Sequence, residues 1–292
     1  MSGISSKSKV LEIIFWRIRI PRTLLSILVG AGLATSGCVF QAILRNPLAE
    51  PYTLGVSGGA ALGVSIGSIL GLGALGLSMV AFLGALISVS LIYFIATKKL
   101  FSVNTLILTG VILSFVFSAL VMLVFAVCKT EKIHTTLLWL MGDLSFADFK
   151  IIRIVGIFIG LGIAILMLFA REIDILLLGE EKAVHLGINS ARMVKLLFVI
   201  SSLIAGACVA SGGIIGFVGL IIPHFVRNFT GPRHFVLIPA SAISGSIFLC
   251  LADTVSRRII YPLELPVGVI TGILGGIILF FFILKSKEWI VF

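Results

Sequence analysis

The sequence predicts an all-α integral membrane protein, a polytopic helical bundle of about nine spans. Three observations predict it. The 292 residues are 59% hydrophobic and only 12% charged, about half the charged share of an ordinary soluble domain. Stretches free of Asp, Glu, Lys and Arg run over 23–44, 51–97, 100–128, 154–170, 196–226, 235–252 and 265–284. A helix needs roughly 20 apolar residues to cross a bilayer core of about 30 Å, and a charge at mid-bilayer costs roughly 2.5–3.5 kcal/mol even on lenient insertion scales. Windows of this length indicate a membrane rather than a large soluble core.

No low-complexity linker or shift in composition divides the chain, so 23–285 reads as one membrane domain. A segment 1–22, polar and then amphipathic, precedes it and a short tail 286–292 follows. The N-terminus lacks the order of a cleavable signal. Window 23–44 is the first span. Window 51–97 is too long for one and breaks at Gly71-Leu72-Gly73-Ala74-Leu75-Gly76 into two. Windows 100–128 and 154–170 give one each. Window 196–226 folds at Ser211-Gly212-Gly213 into two short helices, and 235–252 and 265–284 complete the nine. Gly59, Gly63, Gly67 and Gly71 recur at every fourth residue, as do Gly268, Gly272 and Gly276. Residues four apart share a helix face, so each stripe predicts close packing of the small-xxx-small kind, or a contact that yields during movement.

The net charge is +10. Its basic residues cluster at the ends of apolar spans, where they anchor to headgroups or face water, so nucleic acid is not the implied partner. With nine spans and the N-terminus outside, the 22 Lys and Arg divide equally between the two faces. The positive-inside rule then decides nothing, and one face must hold basic residues for another reason. Cys38, Cys128, Cys208 and Cys250 fall singly, with no C-x-x-C pair, and read as small apolar fillers. His134, His185, His224 and His234 lie on separate segments without metal-ligand spacing, so no metal site is predicted.

The longest charged connection, 171–195, reads as two short helices. The first follows Gly179 and runs Glu180 to Leu186, with acids in its first turn where the helix dipole favours them. Gly187 suits the left-handed residue that ends a helix, and Asn189 or Ser190 can cap a second helix leading into the next span. The plainer alternative is an amphipathic surface loop.

Five motifs then become specific. They are Trp16-Arg17-Ile18-Arg19-Ile20-Pro21-Arg22 before the first span, and Arg45-Asn46-Pro47-Leu48-Ala49-Glu50-Pro51 with Leu54-Gly55-Val56-Ser57-Gly58-Gly59-Ala60 after it. Leu178-Gly179-Glu180 with Leu186-Gly187 follow, then 213–224, and last Leu251-Ala252-Asp253 with Glu264-Leu265-Pro266-Val267-Gly268. In this order, over about residues 13–285, the chain resembles the permease family of binding-protein-dependent ABC importers for iron–siderophores, haem and vitamin B12. That family has ten spans with both ends in the cytoplasm, and this chain begins where the second span approaches. The resemblance implies that the first span is lacking.

The resemblance also implies roles. The segment 179–192 is similar to the coupling helices that dock on a separate ATPase, with Glu180, Glu181, His185, Gly187 and Arg192 as contacts. Arg19, Arg22 and Arg257 match arginines that face outward and pair with glutamates of the substrate-binding protein. A guanidinium fork suits that task because it holds a carboxylate bidentately and stays charged. Such arginines would also explain the equal division of basic residues. Ser102, Val103 and Asn104 fall at the family's cytoplasmic gate. Alternatively, Asn104 caps a helix and Arg257 anchors to headgroups.

No G-x-x-x-x-G-K-[ST] phosphate loop occurs in the sequence. This chain is therefore expected to be no enzyme and to hold no cofactor, with ATP and Mg on the partner polypeptide. The implied assembly has two permease copies in a bacterial or archaeal cytoplasmic membrane, two ATPase subunits and an extracytoplasmic binding protein. Iron–siderophore is the expected substrate, with corrinoid, haem or an oxyanion as alternatives. A stand-alone secondary transporter would need ionisable residues buried mid-span, which the charge-free windows oppose. A zinc or manganese permease finds no support in the scattered histidines.

Overall fold

The computed structural model describes residues 12–98, 103–128, 130–260 and 262–285. The segments 1–11 and 286–292 and Ser102 lie outside the described residues. Regular structure among the described residues is helical, apart from one isolated bridge between Ile260 and Leu263. We number the helices α1 Ile20–Leu44, α2 Val56–Ile69, α3 Ala74–Lys98, α4 Val103–Val127, α5 Thr130–Leu140, α6 Phe149–Leu168, α7 Ala170–Leu177, α8 Glu180–His185, α9 Ser190–Gly212, α10 Val218–Thr230, α11 His234–Ser256 and α12 Val267–Lys285. A π-helical turn, Phe15–Arg19, leads into α1, where Pro21 removes a backbone donor and disturbs the regular ladder.

The nine apolar segments read from the sequence are all helical, but they differ in reach. Six helices among the described residues are long and apolar enough to cross a membrane: Glu12–Leu44, α3, α4, α6, α9 and α11. Two apolar helices are shorter, α2 and the apolar part of α12, Val267–Phe281, and the amphipathic α10 is also short. At 1.5 Å per residue, the 14 residues of α2 and 13 of α10 reach only about 20 Å. Backbone at membrane depth must be satisfied by protein groups, and here it is. Residues Gly213–Phe217 separate α9 from α10. The Phe217 N–H donates to Glu50 Oε1 at 2.6 Å, the Ile215 N–H donates to the Tyr52 hydroxyl at 3.2 Å, and the Gly212 carbonyl accepts from Asp143 N at 3.0 Å.

α1 is the axis of the bundle. It packs against α6, α7, α9, α10 and α11 and is buried almost all round. Its hydroxyls return to its own carbonyls, Thr35 to Ala31 at 2.8 Å and Ser36 to Leu33 at 3.1 Å, so they enter lipid depth already satisfied. Gly30 faces Gly245 of α11, and Gly37 faces Gly219 of α10, so closely that a methyl at any of them would overlap a neighbouring backbone or side-chain atom. The stripe on α2 behaves in the same way: Gly59 meets Gly84 of α3, Gly63 meets the Val80 carbonyl, and Gly67 meets Val80 and Leu77. Gly71 instead forms the left-handed turn between α2 and α3, at φ +70. The α12 stripe differs. Gly268 packs on the Met141 carbonyl, but nothing lies within 4 Å of a side chain at Gly272 or Gly276. Among the described residues nothing packs closely on these two glycines.

Two helices were not read from the sequence. α5 follows α4 as a short amphipathic segment. α7 extends α6 past the distorted residue Phe169 and buries Ala170, Ile173 and Leu176.

Candidate functional site

The coupling segment folds largely as its residues dictate. Gly179 adopts φ +110 and Gly187 φ +82, conformations that cost glycine little. Between them α8 runs Glu180–His185. Asn189 then caps α9, its side-chain oxygen accepting from Arg192 N at 3.0 Å. The second short helix of the reading is thus the first turn of α9. Glu181, His185, Gly187 and Arg192 are exposed, and Glu180 opens the helix. Between these charges stand two apolar residues that motif reading missed, Val184 at 62% and Leu186 at 58% exposed. Of the α8 side chains described, only Ala183 is buried. An exposed helix with apolar residues among charges is suited to a protein partner.

A different set gathers at the opposite end of α11, whose 23 residues span about 34 Å. Arg19, Arg22 and Arg257 line one crevice of about 1080 Å³, with Arg258, Thr254 and Glu264 on its walls. Arg19 is exposed and Arg257 partly so. Arg22 corrects the expectation of an outward-facing group. It is 5% exposed, its Nε donates to Asp253 Oδ1 at 2.8 Å, and its Nη1 donates to Glu264 Oε2 at 2.5 Å. The physical reason is Asp253, itself 1% exposed, a carboxylate that must be paired where it lies. Arg257 Nη2 lies 3.0 Å from Asp253 Oδ2, near enough for attraction but off the hydrogen-bonding line, while its Nε donates to the Asp253 carbonyl at 3.2 Å. Asp253 therefore joins α1 to α11 and orients Arg257.

Of the three gate residues, Ser102 lies outside the described residues. Val103 and Asn104 open α4 at the end of the bundle that carries α8. The other end of α4 reaches Cys128, which lies beside Ser68 and Thr136. Asn104 sits inside the first helical turn and is exposed, and Val103 packs partly on the core. The structure does not bring these residues near α8 or the arginines.

Sequence reasoning missed a second tie at the α8 end. Asp174 of α7 accepts from His234 N at 3.0 Å, and its Oδ1 lies 2.6 Å from His234 Nδ1. It also passed over the use of Glu50 and Tyr52, which hold the α9–α10 break. Glu50 belongs to one quoted motif and Tyr52 follows it, and both bind another motif, so their adjacency in space was invisible in either alone. Among the described residues no group of three His, Cys, Asp or Glu could hold a metal ion, and the cysteines are free, with Cys38 and Cys208 buried as fillers.

Residues 2–285 match the FecCD transport family. The chain belongs to that family. The chain is similar to the cobalamin import system permease protein BtuC of Halobacterium salinarum, 40% identical over 279 residues that make up 95% of this chain and 74% of BtuC. The hemin transport system permease protein HmuU of Yersinia pestis is 36% identical over 281 residues, 94% of this chain and 84% of HmuU. Among solved structures, an inward-facing conformation of a transporter assigned to the metal-chelate ABC type matches with a TM-score of 0.90 at 33% identity, over 95% of this chain and 89% of that one. This FecCD family member is thus a multi-pass membrane protein of a transport family.

Proposed function

We propose that this chain is the membrane-spanning permease subunit of a binding-protein-dependent ABC importer, passing an iron–siderophore or similar bulky metal chelate across the cytoplasmic membrane of a bacterium or archaeon. The observation that carries the reading is the polarity of the molecule. An exposed partner-type helix, α8, stands at one end, and an arginine-lined crevice stands about 34 Å away at the other. In this reading the α8 end faces the cytoplasm and docks an ATPase subunit, through Glu180, Glu181, His185, Arg192 and the turn at Gly187. Val184 and Leu186 supply the apolar part of that contact. ATP and Mg belong to the ATPase, and this chain performs no catalysis.

The arginine end faces outward. Arg19 and Arg257 meet carboxylates of the binding protein, while Arg22 holds the crevice together from inside. Val103 and Asn104 lie toward the cytoplasmic end of α4 and, with Ser102, serve as the gate. A second permease copy is supported by the apolar faces that α4 and α12 leave uncovered, including the unpacked Gly272 and Gly276. The relatives are named for cobalamin and hemin, both large metal chelates, which favours that substrate class over an oxyanion or a bare metal ion. Cells that carry this chain with its ATPase and binding protein should accumulate labelled iron(III)-hydroxamate, cobalamin or hemin when ATP is present. Uptake of none of the three would contradict the substrate class, and uptake without the ATPase would contradict the mechanism.

A further inference from the structure

We infer that Asp174 and His234 are a positioning pair that ties the α7–α8 arm to α11, so that the α1–α11 pair carries movement of the arm across the bilayer to the Asp253 cluster. The inference rests on the reading of α8 as the ATPase dock. α8 follows α7 after only Leu178 and Gly179, so displacement of the dock reaches α7 directly. α7 is seated by Ala170, Ile173 and Leu176 against α1 and α11. Its polar attachment is Asp174. One carboxylate oxygen accepts from the first backbone N–H of α11 and also holds the His234 ring. His234 is fully buried, and its Nε2 meets no partner. Among the described residues Asp174 is thus the hydrogen-bonding partner of the ring, so a shift of its carboxylate acts directly on His234.

The rest of the route is stiff. α1 and α11 form the most extensive helix pair in the molecule, in backbone contact at Gly30 and Gly245. A close-packed interface of this kind moves as a body or switches between discrete arrangements; it does not deform smoothly. At the far end Asp253 of α11 holds Arg22 of α1 and orients Arg257, which lines the outer crevice. One body thus has a clasp at each end. The competing route is covalent, through Asn189 into α9, and it leaves Asp174 without a role in coupling.

The test uses the complete permease–ATPase complex in liposomes, with Cys128 and Cys250 replaced by serine and spin labels at Thr254→Cys and Leu75→Cys, both exposed positions at the arginine end. The probe is ATP with orthovanadate. The expected result is a distance shift in the parent that falls to about half or less in Asp174→Ala while ATP turnover persists, and that recovers in Asp174→Asn, which keeps the backbone acceptor. Should Asp174→Ala fail to accumulate, His234→Ala, which keeps the backbone bond, should give a reduced shift. A full shift in Asp174→Ala or, in its place, in His234→Ala overturns the inference, as does a parent with no shift. A complex that forms without α8 would sink the docking reading instead, a separate outcome.

Discussion

The side chains that matter most here satisfy groups the fold would otherwise strand. Glu50 is the clearest. It accepts from Phe217 N at 2.6 Å, in a break where no helix can use that N–H. Leaving a buried donor unsatisfied costs about 1–3 kcal/mol. Glu50→Ala should therefore lower the thermal midpoint in detergent, and Glu50→Gln, which keeps an acceptor, should lower it less. Equal midpoints for Ala and wild type would refute the role. Arg22 is the second case. Removing one partner of a buried ion pair costs roughly 3–5 kcal/mol because a charge is left uncompensated. Asp253 keeps Arg257 nearby, so Arg22→Ala should fall at the lower end of that range. The contact to Glu264 adds little, since that carboxylate is half exposed. None of these roles was legible in the sequence. Arg22 and Asp253 lie 231 residues apart, and Glu50 and Phe217 lie 167 apart. Motif reading identified the residues as special without revealing that they serve each other, and for Arg22 it suggested an external partner in place of an internal one.

At the scale of helices, charge-free windows revealed most elements, because the penalty for charge in lipid acts on every residue of a span. They could not tell a full crossing from a half one, so α2 was visible as apolar but not as short, while the fold at Ser211-Gly212-Gly213 marked α10 as short and wrongly suggested the same of the 23-residue α9. α7 was hidden for a related reason: Arg171, Glu172 and Asp174 made it read as loop, though Ala170, Ile173 and Leu176 mark a buried stripe. Glycine spacing marked the close-packed face of α2 without naming α3 as its partner, and it did not mark Gly30 against Gly245, since neither belongs to a regular stripe. That contact predicts a large effect. Gly245→Leu would drive a side chain into the Gly30 carbonyl, and overpacking costs typically 1–3 kcal/mol or more where backbone must move. SDS-induced unfolding should show the loss, and wild-type resistance would disprove the close approach. At the head of α9, Asn189→Ala should cost about 1 kcal/mol, measurable in the same assay, because Arg192 N loses its acceptor. No change there would mean that the cap is dispensable.

For the molecule as a whole, the fold gives some of the basic residues internal partners. Arg22 and Arg257 are both held by Asp253. Polarity follows from topology: α7 and α8 sit where α11 begins, and the arginine crevice sits where it ends. If the crevice docks a binding protein, Arg19→Glu with Arg257→Glu should abolish its association with the reconstituted permease. Unchanged association would remove that role. Arg22 is left intact in this experiment because its loss would disturb the fold. The central claim is that α8 receives an ATPase subunit. It is tested most directly by co-purification of the ATPase with the full chain in mild detergent, wild type beside a Val184→Asp, Leu186→Asp double variant. Both positions are exposed, so the fold should survive the change. The account predicts a stable complex for the wild type and its loss in the variant. A wild-type chain that brings down no ATPase, or a variant that binds it undiminished, would contradict it.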